Sequence, residues 1–134
     1  MTETLPDRTL GPFTPAEVAR YATASGDTNP IHLDPAAAAA AGLTGPIVHG
    51  MMVMAHLVRI AEAWRPGEVV TMARVLFVRP VGLGEPLAVD GRVVDPRPVL
   101  PDGHFTLRLV ARTKAGAIAA VVEINMAAGS CKPS

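Results

Sequence analysis

The chain has 134 residues, of which 49% are hydrophobic and 18% are charged, and its formal net charge is zero. This length is enough for one domain with its own core but too short for two independent domains. The composition excludes a disordered chain and argues against a nucleic-acid-binding protein, which would carry a basic excess. We therefore expect a single domain over residues 1–134.

The chain contains one cysteine, Cys131, which lies in a polar tail. A lone thiol cannot form an internal disulfide or a cysteine-based zinc site, so a reducing compartment is expected. The start of the chain lacks the apolar core of a signal peptide, and the longest apolar stretch, residues 47–58, is too short to span a bilayer. These features predict a cytoplasmic protein without membrane insertion.

The first half of the chain carries three helix signals, preceded by a segment, 1–13, that is expected to be weakly structured. A helix over 15–24 is predicted from its N-cap, first-turn proline and capping-box glutamate, and Gly26 is expected to end it. The cap and first turn consist of Thr14, Pro15 and Glu17. A second, alanine-rich helix over 36–41 follows the start signal Asp34-Pro35 and stops before a glycine.

The third helix is predicted over 50–64, between Pro46 and Pro66. Its early turns are apolar on all sides, which is typical of a helix buried on most of its surface.

The second half has the twofold period of half-buried strands. Alternation is clearest over 105–112, where apolar residues recur at every second position. Further strands are predicted over the ranges 69–79, 87–94 and 117–126. Ala115-Gly116 is a plausible hairpin turn, the proline-rich stretch 95–103 an irregular loop and 128–134 a tail. Helices followed by strands indicate the α+β class with helices on one face of an antiparallel sheet.

Two short stretches carry most of the chemical information: residues 25–32, which read SGDTNPIH, and residues 46–51, which read PIVHGM. Asp27 and His32 are titratable groups five residues apart, and Pro30 disfavours a helical conformation at the residue before it. A bent loop is therefore predicted, in which both side chains converge on one water molecule. Taken alone, Asp27 could instead be a turn residue that satisfies backbone N–H groups.

The two stretches together resemble the signature of the MaoC-like (R)-specific enoyl-CoA hydratases and 3-hydroxyacyl dehydratases. That signature has the form S-G-D-x-N-P-hydrophobic-H, followed downstream by hydrophobic-H-G-M. The resemblance implies a hot dog fold, in which an antiparallel sheet wraps around a long central helix. It also implies a homodimer and an acyl-thioester substrate, carried by coenzyme A or an acyl carrier protein, with no separate cofactor.

Under this resemblance Asp27 and His32 are the catalytic pair. Water must lose a proton as it attacks C3 of an enoyl thioester, and C2 must gain one, which two adjacent acid/base groups can accomplish. Which of the two protonates C2 stays open, and the pair could titrate as a unit. Gly50 would present a bare backbone N–H at the helix start to the thioester carbonyl. The alternative is that Gly50 only permits tight packing of the helix against the sheet.

Supporting roles are expected for Asn29, which would order the loop through hydrogen bonds to the backbone, and for His49, which either reaches the site or caps and packs the helix. Met51 and Met54 either form a flexible wall for an acyl chain or fill the core. No metal site is expected, and His56 lacks a ligand-type partner nearby in the sequence.

One departure from the family pattern concerns Val58, since many of these hydratases carry a small hydroxyl residue two helical turns after the glycine. It affects the hydrogen bonding expected behind the catalytic pair.

The predicted activity is the reversible hydration of trans-2-enoyl thioesters to (R)-3-hydroxyacyl thioesters, the stereochemistry being implied by the resemblance alone. The first alternative is a dehydratase that acts on carrier-protein-bound intermediates of fatty acid or polyketide synthesis. The second is a non-catalytic subunit that binds acyl thioesters beside an active homologue. A thioesterase would require the water to attack C1 rather than C3.

Overall fold

The computed structural model describes residues 3–94 and 105–129. The predicted loop 95–103, most of the predicted tail and Cys131 lie outside the described residues. In chain order the helices and strands are β1 (Arg8–Leu10), α1 (Pro15–Ser25), α2 (Pro35–Ala40), α3 (Gly50–Trp64), β2 (Glu68–Phe77), β3 (Leu87–Val93), β4 (Phe105–Arg112) and β5 (Ile118–Ala128). A short 3-10 turn over Pro30–His32 lies between α1 and α2.

The five strands form one antiparallel sheet in the order β1-β3-β4-β5-β2. The four predicted strands correspond to β2, β3, β4 and β5, and the turn predicted at Ala115-Gly116 joins β4 to β5, with Gly116 at φ 88°. The strand β2 follows α3 in the chain. Among the described strands it pairs with β5 alone, so it lies at one edge of the sheet. The end of this edge strand, Phe77, lies beside the candidate active site.

One face of the sheet packs against α3 and forms the core. On β4 the burial alternates as the sequence predicts, with Leu107, Leu109 and Ala111 fully buried. From α3, four residues are buried against the sheet: Met52, Val53, Leu57 and Ala61. Each large aliphatic side chain buried in this way contributes about 1.5–3 kcal/mol to stability. The helix is therefore held firmly across the sheet.

The three helices begin in two different ways. Thr14 accepts a hydrogen bond from the backbone N–H of Glu17 at 3.2 Å and so caps α1. Asp34 caps α2 in the same manner, accepting from the N–H of Ala36 at 2.9 Å. The residue before α3 is His49, and it makes no side-chain capping hydrogen bond.

Two expectations from the sequence differ from the structure. The segment 1–13 is not weakly structured from residue 3 onward: β1 pairs with β3, and Leu5 and Phe13 are buried. The physical reason is that Leu5, Leu10 and Phe13 belong to the hydrophobic core, and their burial holds the segment in place. The start of α3 is not buried on all sides either, because Met51 is 57% exposed.

An exposed apolar strip on β2 is made up of Val69, Met72 and Leu76, and Phe77, the last residue of the strand, is also partly exposed. Met51 is the exposed apolar residue at the start of α3, and it shares a cavity wall with Phe77. Among the residues that the structure describes, no helix combines the length and apolar character needed to cross a membrane.

Candidate active site

The loop after α1 is ordered by a chain of short hydrogen bonds. Gly26 ends the helix with φ 79°, a left-handed conformation that glycine adopts readily. The Ser25 hydroxyl then accepts from the N–H of Asp27 at 3.2 Å, and the Asp27 Oδ1 accepts from the N–H of Asn29 at 3.3 Å. The Asn29 Oδ1 in turn accepts from the N–H of Ile31 at 3.2 Å. Asn29 thus orders the loop through the backbone.

This loop geometry brings Asp27 and His32 together. The Oδ2 of Asp27 lies 3.7 Å from the Nε2 of His32, which is beyond hydrogen-bond distance. The Asp27 side chain is 53% exposed, whereas that of His32 is 8% exposed. One oxygen of Asp27 therefore anchors the loop, and the other faces the imidazole from the solvent side.

The orientation of the His32 ring is set by the backbone of Ile47, the residue that precedes α3 by three positions. The Nδ1 of His32 lies 2.8 Å from the Ile47 carbonyl oxygen. Because a carbonyl only accepts, Nδ1 carries the hydrogen, and in the neutral ring Nε2 is left with a free lone pair, 3.7 Å from the Oδ2 of Asp27.

His49 contacts both members of the pair. Its Nε2 donates to the backbone carbonyl of Asp27 at 2.9 Å, and its ring stacks on that of His32 with centroids 3.8 Å apart and an interplanar angle of 23°. The His49 ring also contacts the ring of Tyr21, with the two centroids 4.8 Å apart. His49 is 2% exposed. His49 occupies the N-cap position of α3, but its side chain packs against the loop and the His32 ring and makes no capping hydrogen bond.

Gly50 is the first residue of α3, and Phe77 at the end of β2 packs directly on it. A Cβ built on Gly50 would lie 2.9 Å from the Cζ of Phe77, closer than real contacts allow. The packing role considered for Gly50 is therefore visible in the structure. Its N–H belongs to the uncapped end of α3 and has no hydrogen-bond acceptor among residues 3–94 and 105–129.

Two cavities meet at Gly50 and Phe77, which line both. The first, of about 340 Å³, contains His32 and is otherwise mostly apolar, its remaining lining being Ile47, Val48, Val53, Val78, Arg79, Pro80, Val81, Ala119 and Ala120. The second, of about 470 Å³, contains Asp27, with Tyr21, Ser25, His49 and Met51. Asp27 and His32 thus lie on either side of the junction. Met51 lines the second cavity, and Met54, half-buried on α3, lines neither.

Within residues 3–94 and 105–129, one set of residues has donors close enough to hold a metal ion: Asp27, His32 and His49 offer ligand atoms within 4.8 Å of one another. The stacked rings do not suit it. Imidazole binds a metal through an in-plane lone pair at about 2.0–2.1 Å. With parallel rings 3.8 Å apart, an ion shared between them would sit far out of both ring planes. The donor set therefore does not fit a resident metal.

The other singled-out residues of α3 lie apart from the pair. The Nδ1 of His56 donates to the Met52 carbonyl at 2.9 Å, and its ring meets Phe13 edge-on. Val58 packs against the core.

Sequence reasoning did not identify Tyr21 as a contact of His49, the carbonyl of Ile47 as the partner of His32, or Phe77 as the cover of Gly50. A carbonyl leaves no signal in a sequence, and the other contacts join distant segments.

A five-stranded antiparallel sheet packed on one long helix is the hot dog fold. The family described as MaoC like domain matches residues 2–115, and the chain belongs to this family.

Similar proteins agree with that assignment. The (R)-specific enoyl-CoA hydratase of Aeromonas caviae is 34% identical over 113 residues, a match that covers 83% of each chain. The solved structure of an (R)-hydratase from A. caviae involved in PHA biosynthesis superposes with a TM-score of 0.82 at 31% identity, covering 93% of this chain and 96% of that one.

Some relatives match over a shorter part of their length. The mitochondrial 3-hydroxyacyl-[acyl-carrier-protein] dehydratase of Arabidopsis thaliana is 38% identical over 73 residues, which is 54% of this chain and 44% of that protein. The chain spans only 4% of the fatty acid synthase subunit beta of Gibberella zeae, to which it is 42% identical over 73 residues, or 52% of this chain.

Proposed function

We propose that this domain is a hydro-lyase that reversibly hydrates trans-2-enoyl thioesters to (R)-3-hydroxyacyl thioesters, with Asp27 and His32 as its acid/base pair. The observation that carries the proposal is the 3.7 Å gap between the Asp27 carboxylate and the His32 Nε2. Both atoms are hydrogen-bond acceptors when His32 is neutral, so they do not bond to each other. A single water can donate one hydrogen to each.

A water held in this way is ready for addition across a double bond. As its oxygen bonds to C3 of the enoyl group, one O–H bond breaks and its proton passes to a member of the pair. The π electrons of C2=C3 move toward the thioester carbonyl and return to form the C2–H bond with a proton from the pair. One proton is taken and one is delivered, so the pair ends unchanged and no electrons are gained or lost.

The charge that develops on the thioester oxygen requires a donor, and the start of α3 supplies one. The Gly50 N–H is an uncapped helix N-terminal donor, and such groups carry partial positive charge. Donors fixed in place before the reaction stabilise a developing oxyanion most effectively. The ring of Phe77 packs on the Cα of Gly50, and both residues line both cavities. The thioester would therefore approach the Gly50 N–H where the two cavities meet.

The apolar cavity beside His32 supports an acyl-chain site. Its walls come from α3, the end of β2, the segment after it and β5. In this arrangement the acyl chain occupies the first cavity and the thiol carrier extends through the second toward solvent. Met51 would then contact the carrier side, and Met54 would contribute to packing only.

The test is an assay with crotonyl-CoA and a longer trans-2-enoyl-CoA. Loss of the enoyl absorbance without release of free thiol is expected. Free thiol would instead identify a thioesterase. The Asp27→Asn, His32→Ala double variant, purified in the same way, controls for contaminating hydratase. If the unmodified protein hydrates no enoyl thioester of any chain length, the proposal is wrong.

A second candidate is the dehydration of 3-hydroxyacyl groups bound to an acyl carrier protein, favoured by the similarity to the plant mitochondrial dehydratase. The same site would run the reaction in the opposite direction. Measuring kcat/KM for one acyl group on coenzyme A and on an acyl carrier protein separates the two candidates. A preference of tenfold or more for the carrier protein would favour the second.

A homodimer joined along β2 is part of the proposal. The strand lies at an edge of the sheet, and its exposed apolar strip includes Leu76, which is 64% exposed. Unpaired edges with apolar surface are sites for pairing with another chain, and a second copy is the simplest partner. Light scattering is expected to give twice the chain mass of 13.9 kDa. Leu76→Glu should weaken the dimer, whereas Ala39→Glu on the exposed side of α2 should not.

A further inference from the structure

The buried histidine before α3 has two contacts that bear on the reaction. His49 donates to the backbone carbonyl of Asp27, and its ring lies against the ring of His32. The ring also lies close to that of Tyr21 on α1, with centroids 4.8 Å apart, and His49 is 2% exposed. One side chain thus touches both members of the pair without taking part in it.

The two histidines are held in opposite tautomers. The Nδ1–H of His32 donates to the Ile47 carbonyl, while the Nε2–H of His49 donates to the Asp27 carbonyl. The Nδ1 of His49 is buried and has no hydrogen-bond partner in the described part of the chain. A buried polar atom without a partner is unfavourable, so a residue chosen for packing alone would be apolar.

We propose that His49 is a positioning residue that sets the separation of the Asp27 carboxylate and the His32 imidazole. Its hydrogen bond fixes where the backbone of Asp27 lies, and its ring gives His32 a flat surface that defines the imidazole plane. The two contacts together maintain the 3.7 Å separation at which both atoms can accept from one water. This inference rests on the proposed function for its kinetic test only.

Two substitutions separate the two contacts. His49→Gln keeps an N–H donor for the Asp27 carbonyl but removes the ring, and His49→Phe keeps a ring for stacking but removes the donor. Because the carboxylate moves with its backbone, we expect the donor to matter more for turnover. Misplacing a reacting group by about 1 Å can lower the rate by about 10²-fold.

The expected result is a fall in kcat of about 10- to 100-fold for His49→Phe, with KM changed by less than about threefold. His49→Gln should retain several-fold more kcat than His49→Phe, although Phe fills the buried space better and should give the higher melting temperature. A merely structural role predicts that activity follows stability, which is the opposite order. The matched control is His56→Gln, which replaces a half-buried histidine within α3 and should leave kcat unchanged.

A second readout does not depend on activity. Amide hydrogen exchange at Asn29 and Ile31 reports on the loop, because both N–H groups donate to loop side chains. Exchange should be faster in His49→Phe than in His49→Gln. If the unmodified protein hydrates no thioester, the proposed function fails, and equal exchange in the two variants would then overturn the positioning role. If the protein is active and His49→Phe keeps native kcat, the positioning role fails alone.

Discussion

The N-termini of α1 and α2 are closed by the side chains of Thr14 and Asp34, whereas the N-terminus of α3 is left open beside Asp27 and His32. A cap satisfies backbone N–H groups within the protein and contributes to the free energy of unfolding. An open end leaves those groups available to a ligand. A helix N-terminus therefore contributes to stability in α1 and α2, whereas in α3 its N–H groups are free to bind a ligand.

The largest effect is expected from replacing Asp27 or His32, the two side chains beside the uncapped N-terminus of α3. Asp27→Asn and His32→Ala should each lower kcat by about 10²- to 10⁴-fold, the usual contribution of a positioned acid or base. Asn keeps the shape of Asp27 and the loop hydrogen bond but cannot accept the proton. Combined, the two changes should lower kcat far less than the product of the single effects, since both act on one water. Steady-state kinetics with circular dichroism checks this.

Near-native turnover in Asp27→Asn, together with a sharp fall in its melting temperature, would make Asp27 a loop anchor and not a catalytic group.

Blocking the open end itself should have the next largest effect. Gly50→Ala places a methyl group 2.9 Å from the Phe77 ring, too close for an ordinary contact, and we expect kcat to fall by about tenfold or more as the oxyanion donor is obstructed. Phe77 is 46% exposed, so its ring can move and the fold should survive. The double variant Gly50→Ala, Phe77→Ala separates two causes. Full recovery of kcat would show that Gly50 serves packing only, while continued loss supports the N–H role.

The closed ends should behave in the opposite way. Thr14→Ala removes the cap of α1 and should lower the free energy of unfolding by about 0.5–2 kcal/mol. Its kcat should stay within about twofold of the unmodified value, because Thr14 lies outside both cavities. Urea denaturation and the hydratase assay measure the two quantities on one preparation. A large loss of turnover in the folded variant would break the distinction between the helix ends.

The smallest effect is expected from chelation. Since the stacked rings of His32 and His49 cannot share an ion, and water addition involves no net electron transfer, activity should be unchanged after treatment with EDTA. The control is the same assay with a divalent ion restored. Activity lost on chelation and recovered with the ion would contradict the metal-free mechanism.

Much of the fold is local and could be read from the sequence. The cap at Thr14, the stop at Gly26 and the alternation on β4 are short-range signals, and all three are confirmed. The strand β1 escaped prediction because its three residues have no recognisable period and it exists only through pairing with β3. The exposed Met51 was equally hidden, since an apolar residue in a helix does not reveal whether a neighbour covers it.

In the candidate site, too, local features could be predicted from the sequence and contacts between distant segments could not. The bent loop with Asp27 and His32 follows from Pro30 and the short polar residues around it. The contact of His49 with Asp27 joins residues 22 positions apart, and the packing of Phe77 on Gly50 joins a strand to a helix. Such contacts depend on how the helix lies across the sheet, which no local pattern specifies.

The hydrogen bond from His32 to the Ile47 carbonyl has a consequence for protein engineering. A carbonyl is present at position 47 whatever side chain is placed there, yet that side chain lines the apolar cavity. Exchanging Ile47 for Val or Leu would therefore reshape the cavity wall while the hydrogen stays on the same nitrogen of His32. Substrate preference can be altered at this position without disturbing the imidazole.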